Sequence, residues 1–286
     1  MSLVSKTTLA LIAFLLVGGV IIYQVAPTRS QVFFDNILGH EPEPEPVVYQ
    51  EEKTVRLPEG ANNKEVAKIL AAAELLTEEE FFAAQRNYPS ERFDFLADRP
   101  AGTDLEGYLY PDTYRFFASS TPEDILTRML SNFDKKLSPD WRAEIAAQGK
   151  TISEIVTMAS LVEKEAPIFY AQNDNTNAKI VAGIFWRRIE NNQALQSCAT
   201  LAYILGVNKP QYTTADTQTP SPFNTYIHPS LPPSPISNPG RLAIEAAIYP
   251  SDTNYNYFLT PAGTKDLVYA VTYEQHLANK RKYLPD

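Results

Sequence analysis

Residues 7–23 read TTLALIAFLLVGGVIIY, a run of 17 without a charge, with Lys6 just before it and no charge after it until Arg29. A helix crosses the hydrocarbon core of a bilayer with ~17 to 25 predominantly apolar residues, so the run predicts one transmembrane span within residues 1–30. Lys6 and the amino terminus lie on its N-terminal side, which places that end in the cytoplasm and everything after Tyr23 on the outer face by the positive-inside rule. A cleaved signal peptide is the alternative. The run is longer than the usual apolar region of about 7 to 15 residues, and no A-x-A-like cleavage site follows it.

The span is followed by an acidic, proline-interrupted spacer assigned to residues 31–52, ending in EPEPEPVVYQEE. Proline favours extended backbone and the five glutamates of positions 41–52 repel one another, so the segment is a semi-rigid separator. Of the formal charge of −9, residues 1–40 contribute +1 (Lys6, Arg29, Asp35) and positions 41–52 contribute −5, which leaves −5 for the remainder. No basic stripe is present, which excludes a phosphate-tracking surface and hence nucleic acid as a partner. The hydrophobic content of 44% is that of a folded domain. Cys198 cannot form an internal disulfide, and with His40, His228 and His276 it makes no metal-ligand spacing, so neither metal nor cofactor is expected.

From Lys53 the pattern turns globular. Thr54 to Leu57 alternates as a strand, Asn63 is placed to cap a helix through Leu70 and Ala73, and Thr77 with Glu80 makes a capping box for a second helix. Strand, helix, helix over residues 53–100 is the outline of a small LysM-like module. Further helix starts follow at Thr121-Pro122, Ser138-Pro139 and Thr151 with Glu154, then a helix over Ala178–Ile189 and another from Asn238-Pro239 to Ile248. The proline-rich stretch 219–239 is loop, and Tyr255–Thr260 with Asp266–Thr272 forms a late hairpin. The predicted class is α+β, with helices dominating residues 101–286.

The segment TISEIVTMASLVEKEAP, residues 151–167, carries the chemistry. At ~100° per residue its apolar side chains cover most of the circumference, and Glu163 and Glu165 fall about 160° apart, each inside that arc near one margin. A carboxylate at such a position ordinarily makes an ion pair or caps a neighbour. Both also lie in the last turn before Pro167, where the negative end of the helix dipole disfavours a carboxylate's charge and favours an acid held protonated. Pointing in different directions, they cannot flank one glycosidic bond as a pair; at most one is the general acid.

Four blocks, LEGYLYPDTYRF (105–116), ASLVEKEA (159–166), VAGIFWRRIENNQALQS (181–197) and FNTYIHPSLPPSPISNPG followed by LAIEAAIYP (223–250), resemble in order the motifs of the YceG-like family of endolytic murein transglycosylases. The resemblance implies a helix-rich, lysozyme-like catalytic domain and cleavage of the β-1,4 bond between N-acetylmuramic acid and N-acetylglucosamine without water. The product is a 1,6-anhydromuramyl end, because the muramyl C6 hydroxyl is the nucleophile and one carboxyl serves as acid and then base. Glu165, followed by a small residue, matches the catalytic glutamate, with Glu163 as the alternative and as an orienting contact. Glu106, Tyr110, Asp112, Tyr114, Gln196, Asn224, Thr225, Tyr226 and His276 match positions implied to contact substrate, although the tyrosine-rich block also fits a buried hairpin. The implied setting is the bacterial cytoplasmic membrane, crossed once, with peptidoglycan glycan strands as substrate and cell-wall synthesis proteins as neighbours.

The chain departs from the family pattern where LQSCAT replaces LQSDPT at Cys198 and Ala199, at Ser230 and Ser234 in place of glycines, and at Gln275 and Leu277 beside the histidine. These departures motivate a second reading, a catalytically weak or silent glycan-binding scaffold. Cys198 is expected to be a small packed residue. An ordinary hydrolytic muramidase would need a second carboxylate facing Glu165, and Asp112 is the one candidate within the motifs.

Overall fold

The computed structural model describes residues 51–284 other than 262 and 265. The predicted span and nearly all of the spacer lie outside the described residues. Among the described residues no helix is long and apolar enough to cross a membrane.

Strand β1 (Glu52–Arg56) leads into α1 (Asn63–Ala72) and α2 (Glu78–Asn87). The cap of α1 is Asn62 rather than Asn63: its side chain accepts from the Glu65 N–H and Glu65 reaches back to the Asn62 N–H, a reciprocal box shifted by one residue. Asn63 is instead buried, with its Nδ2 donating to Gln85. The box of Thr77 with Glu80 forms as its spacing requires. Strand β1 finds its partner past residue 100: β2 (Thr113–Phe117) pairs with it antiparallel, Glu52 opposite Phe117 and Arg56 opposite Thr113. On the inner face Val55, Tyr114 and Phe116 are buried, so alternation in the tyrosine-rich block is that of a half-buried strand.

Helices α3 (Pro122–Lys136) and α4 (Pro139–Ala147) begin at the predicted hydroxyl-proline pairs, and α5 (Ile152–Glu165) begins at the capping box of Thr151 with Glu154. Helix α6 (Thr176–Glu190), the unforeseen α7 (Cys198–Leu205), the single turn α8 (Thr214–Thr217) and α9 (Arg241–Ile248) follow. The hairpin of β3 (Tyr257–Leu259) and β4 (Val268–Ala270) then precedes α10 (Tyr273–Tyr283), also unforeseen. Helix α5 packs most extensively on α9, and both pack on α6, so this trio forms the centre of the core. An unbroken run from Ile155 to Val162 is buried, which is why α5 shows so wide an apolar arc.

Helix α9 begins at Arg241 with Gly240 as its cap, not at Asn238-Pro239. Asn238 has a different task. Fully buried, it accepts the N–H groups of Gly107 and Leu109 at 2.9 Å and donates to the carbonyl of Ala61, tying three separate segments together. The proline-rich loop is thereby fixed against the core, and Ile236 N–H and Ser237 Oγ bond Ser160 on α5.

Candidate functional site

Helix α5 stops at Glu165 because Ala166 precedes Pro167 and takes extended backbone, φ −105° and ψ 137°. Its last turn sends its two glutamates to opposite sides. Glu165 Oε1 accepts from Ser197 Oγ at 2.5 Å and from the Ala199 N–H at 3.0 Å, so it satisfies the first turn of α7, whose own cap residue makes no side-chain cap bond. No described donor reaches Oε2, and Glu165 lines a groove of about 440 Å³ together with Gln196, Cys198, Tyr226, Tyr257 and His276. Gln196 holds left-handed backbone, φ 51°, and its N–H is bonded to the Thr225 carbonyl, so a strained residue is locked beside the glutamate.

The opposite wall of the groove comes from the hairpin and α10. His276 stacks on Tyr257 at 5.1 Å between centroids, and the Arg188 guanidinium lies 5.6 Å from the same ring. Burial, with Lys280 and Arg188 nearby, holds the imidazole below its ordinary titration range, so His276 is neutral at pH 7, and its buried Nδ1 has no described partner. Arg188 is 9% exposed and donates to the carbonyls of Leu195 and Asn256, both at 2.6 Å, which fixes the loop before α7 against the start of the hairpin.

Glu163 faces away from that groove. Its Oε2 accepts from the Tyr170 hydroxyl at 2.5 Å and from the Gly240 N–H at 2.9 Å, which satisfies the start of α9 as Glu165 satisfies the start of α7. Burial pushes its carboxyl above the ordinary range, and those two donors oppose the shift. Tyr170 and Gly240 line a second, polar pocket of about 300 Å³, where Tyr110 and Asp112 also sit. Of the residues implied to touch substrate, Tyr110 and Asp112 therefore line this pocket and not the groove at Glu165.

Residues 23–282 match the YceG-like family over most of the chain. The chain belongs to the YceG-like family. It is 30% identical over 252 residues, 81% of its length, to an endolytic murein transglycosylase of Streptococcus pneumoniae. To the endolytic murein transglycosylase of Bacillus subtilis it is 33% identical over 181 residues, 63% of its length. It spans about half the length of these curated relatives, 44% and 48% respectively. A crystal structure of a yceG-like protein from Listeria monocytogenes superimposes with a TM-score of 0.68 at 30% identity, covering 87% of this chain and 80% of that one.

Within this YceG-like fold, Glu165, Gln196, Tyr226 and His276 converge on one groove, with Thr225 directly behind it: its Oγ1 accepts the Ser197 N–H and meets Thr200. Asn224 is buried and closes its own loop on the carbonyls of Thr217 and Thr219 rather than facing ligand. Tyr114 is buried, donating to the Tyr110 carbonyl. Glu106 lies in the core: both its oxygens accept the Asn63 N–H, and burial holds its carboxyl well above the ordinary range. Cys198 is exposed on the groove, its Sγ 3.1 Å from the Tyr226 hydroxyl, because it is the first residue of α7 and turns outward; the expectation of a packed residue is corrected. Ala199 supplies an N–H that the proline of the family pattern would lack.

Sequence reasoning missed Arg188, Ser197 and Tyr257. A signal existed for Arg188, which continues the buried stripe of Val181, Ile184 and Phe185 on α6 and so is directed inward. For Ser197 the signal was its place in the block VAGIFWRRIENNQALQS, directly after Gln196; none existed for Tyr257, which reaches the glutamate's groove only through the fold.

Proposed function

We propose that this chain is a membrane-anchored endolytic murein transglycosylase that cleaves the β-1,4 bond between N-acetylmuramic acid and N-acetylglucosamine in nascent peptidoglycan, with Glu165 as its one acid and base. The observation that carries this reading is the groove itself: among its described lining residues Glu165 is the only carboxylate, anchored through Oε1 and with Oε2 open. Glu165 gives its proton to the glycosidic oxygen as the bond to the leaving N-acetylglucosamine breaks. The muramyl C6 hydroxyl attacks C1 of its own ring, and its proton passes to the carboxylate, which regenerates the acid and leaves the 1,6-anhydro end. No water is consumed. A hydrolytic pair would need a second carboxyl ~5 to 9.5 Å away across the bond, and Asp112 lies in the other pocket.

The names of the curated relatives support this reading. The apolar run of residues 7–23 supports single-pass anchoring in the bacterial cytoplasmic membrane with the folded part outside, beside cell-wall synthesis proteins. The strand-helix-helix order of β1, α1 and α2 supports a LysM-like glycan contact. The test is mass spectrometry of purified glycan strands after digestion. Anhydro ends are expected from the parent, with a loss on the order of 10² to 10⁴ in rate for Glu165→Gln and a milder loss for Glu163→Gln. Reducing ends would replace this reading with hydrolysis, and intact strands would replace it with the scaffold.

A further inference from the structure

The second pocket has a construction that the cleavage reaction does not require. Its floor includes Tyr170 and Gly240, whose hydroxyl and N–H both donate to the Glu163 carboxylate behind them. A Cβ at residue 240 would lie 2.2 Å from the Tyr170 hydroxyl oxygen and 2.8 Å from Glu59 Cγ, so only glycine lets this floor close. Asn173 lines it in left-handed backbone, φ 55°, and its side chain accepts from Arg241.

The rim is charged in both senses. Arg56 makes no ion pair among the described residues, and Lys136 has only the Tyr110 ring, 5.5 Å away. Facing them are the exposed carboxylates of Glu59 and Asp112, the latter already accepting from Asn132. Tyr110 is 6% exposed and covered by Lys136, so its ring offers no stacking platform for a sugar. Burial pushes its hydroxyl up to about 12, so it stays protonated and neutral. A lining with free cations, a free carboxylate and no open aromatic face suits a small ligand that carries both charges.

We propose that this pocket is a subsite for a short peptide bearing a carboxylate and an ammonium group, the stem peptide of the glycan. This rests on the function proposed above for the Glu165 groove. Arg56 and Lys136 would receive the carboxylate, and Glu59 the ammonium.

The test is calorimetric titration of the full chain with a synthetic stem tripeptide carrying a terminal carboxylate and a side-chain ammonium, without glycan. Binding is expected, equal in the parent and in Glu165→Gln. It should weaken about tenfold or more in the Arg56→Ala, Lys136→Ala double variant, and comparably when the terminal carboxylate is replaced by a carboxamide. No heat of binding, binding indifferent to both changes, or binding lost in Glu165→Gln would overturn the proposal. Cleavage without peptide binding overturns this inference alone; peptide binding without cleavage overturns the transglycosylase reading alone.

Discussion

Glu106 shows how a residue taken for a substrate contact becomes a stability determinant. Burial raises its carboxyl well above the ordinary range, with the Asn63 N–H opposing, so the folded state keeps a proton that the unfolded chain releases near ~4.3. The group's contribution to folding is complete below that value and is lost as pH rises through the folded value. Glu106→Gln keeps an acceptor for Asn63 and cannot ionise. Urea midpoints between pH 5 and 9 should therefore fall more steeply for the parent than for the variant, by at most about 1.4 kcal/mol per pH unit; parallel profiles would show that Glu106 does not titrate there. Gly107 is fixed by sterics instead: at φ 91°, an added Cβ would lie 2.5 Å from Pro235, against the loop that Asn238 secures. Gly107→Ala should cost about 2 to 3 kcal/mol in the same measurement, and a loss below about 0.5 kcal/mol would mean that the loop yields. Glu165 was legible because a carboxylate inside an apolar arc before a proline is chemically unusual. That Glu106 would be buried was not legible, because its partners Asn63 and Asn238 lie 43 and 132 residues away.

At the scale of elements, helix starts were readable because their determinants are local. The boxes of Thr77 with Glu80, Thr121 with Asp124 and Thr151 with Glu154 each close within four residues. Thr151→Ala should accordingly cost about 1 kcal/mol, seen as a lower denaturation midpoint; because Glu163 and Glu165 lie at the far end of α5, the anhydro product should be unchanged in kind. Helices α7 and α9 were harder to place, since the groups that satisfy their first turns are glutamates of α5. Helix α10 buries no residue yet contributes His276 and Lys280 to the groove. A chain ending at Val271 should retain cooperative unfolding in urea while losing glycan cleavage, because the core is elsewhere and one groove wall is gone. A truncation that unfolds without a transition would show that α10 supports the core.

At the scale of the whole molecule, the described residues from Glu51 onward form one contact unit. A chain beginning at Gln50 should unfold at the same urea midpoint as the full chain and should no longer co-sediment with lipid vesicles, whereas the full chain should. Vesicle binding by the shortened chain would assign membrane attachment to the folded part and not to the apolar run.

What the amino-acid order determined by itself is whatever is decided within about one helical turn: the capped helices, the α+β class they add up to and the unusual pair at Glu163 and Glu165. Helical periodicity even separated that pair, since two positions two residues apart on a helix diverge by roughly 160° round its axis. What lay on either side of α5 was decided only by tertiary structure. Gln196, Tyr226 and His276 come to Glu165, and Tyr110 and Asp112 to the pocket above Glu163, from segments whose proximity no local pattern encodes. The physical reason is that these neighbours are set by the packing of α5 against α6 and α9 and by long-range hydrogen bonds such as those of Asn238, and such contacts depend on which surfaces meet rather than on the residues beside them in the chain.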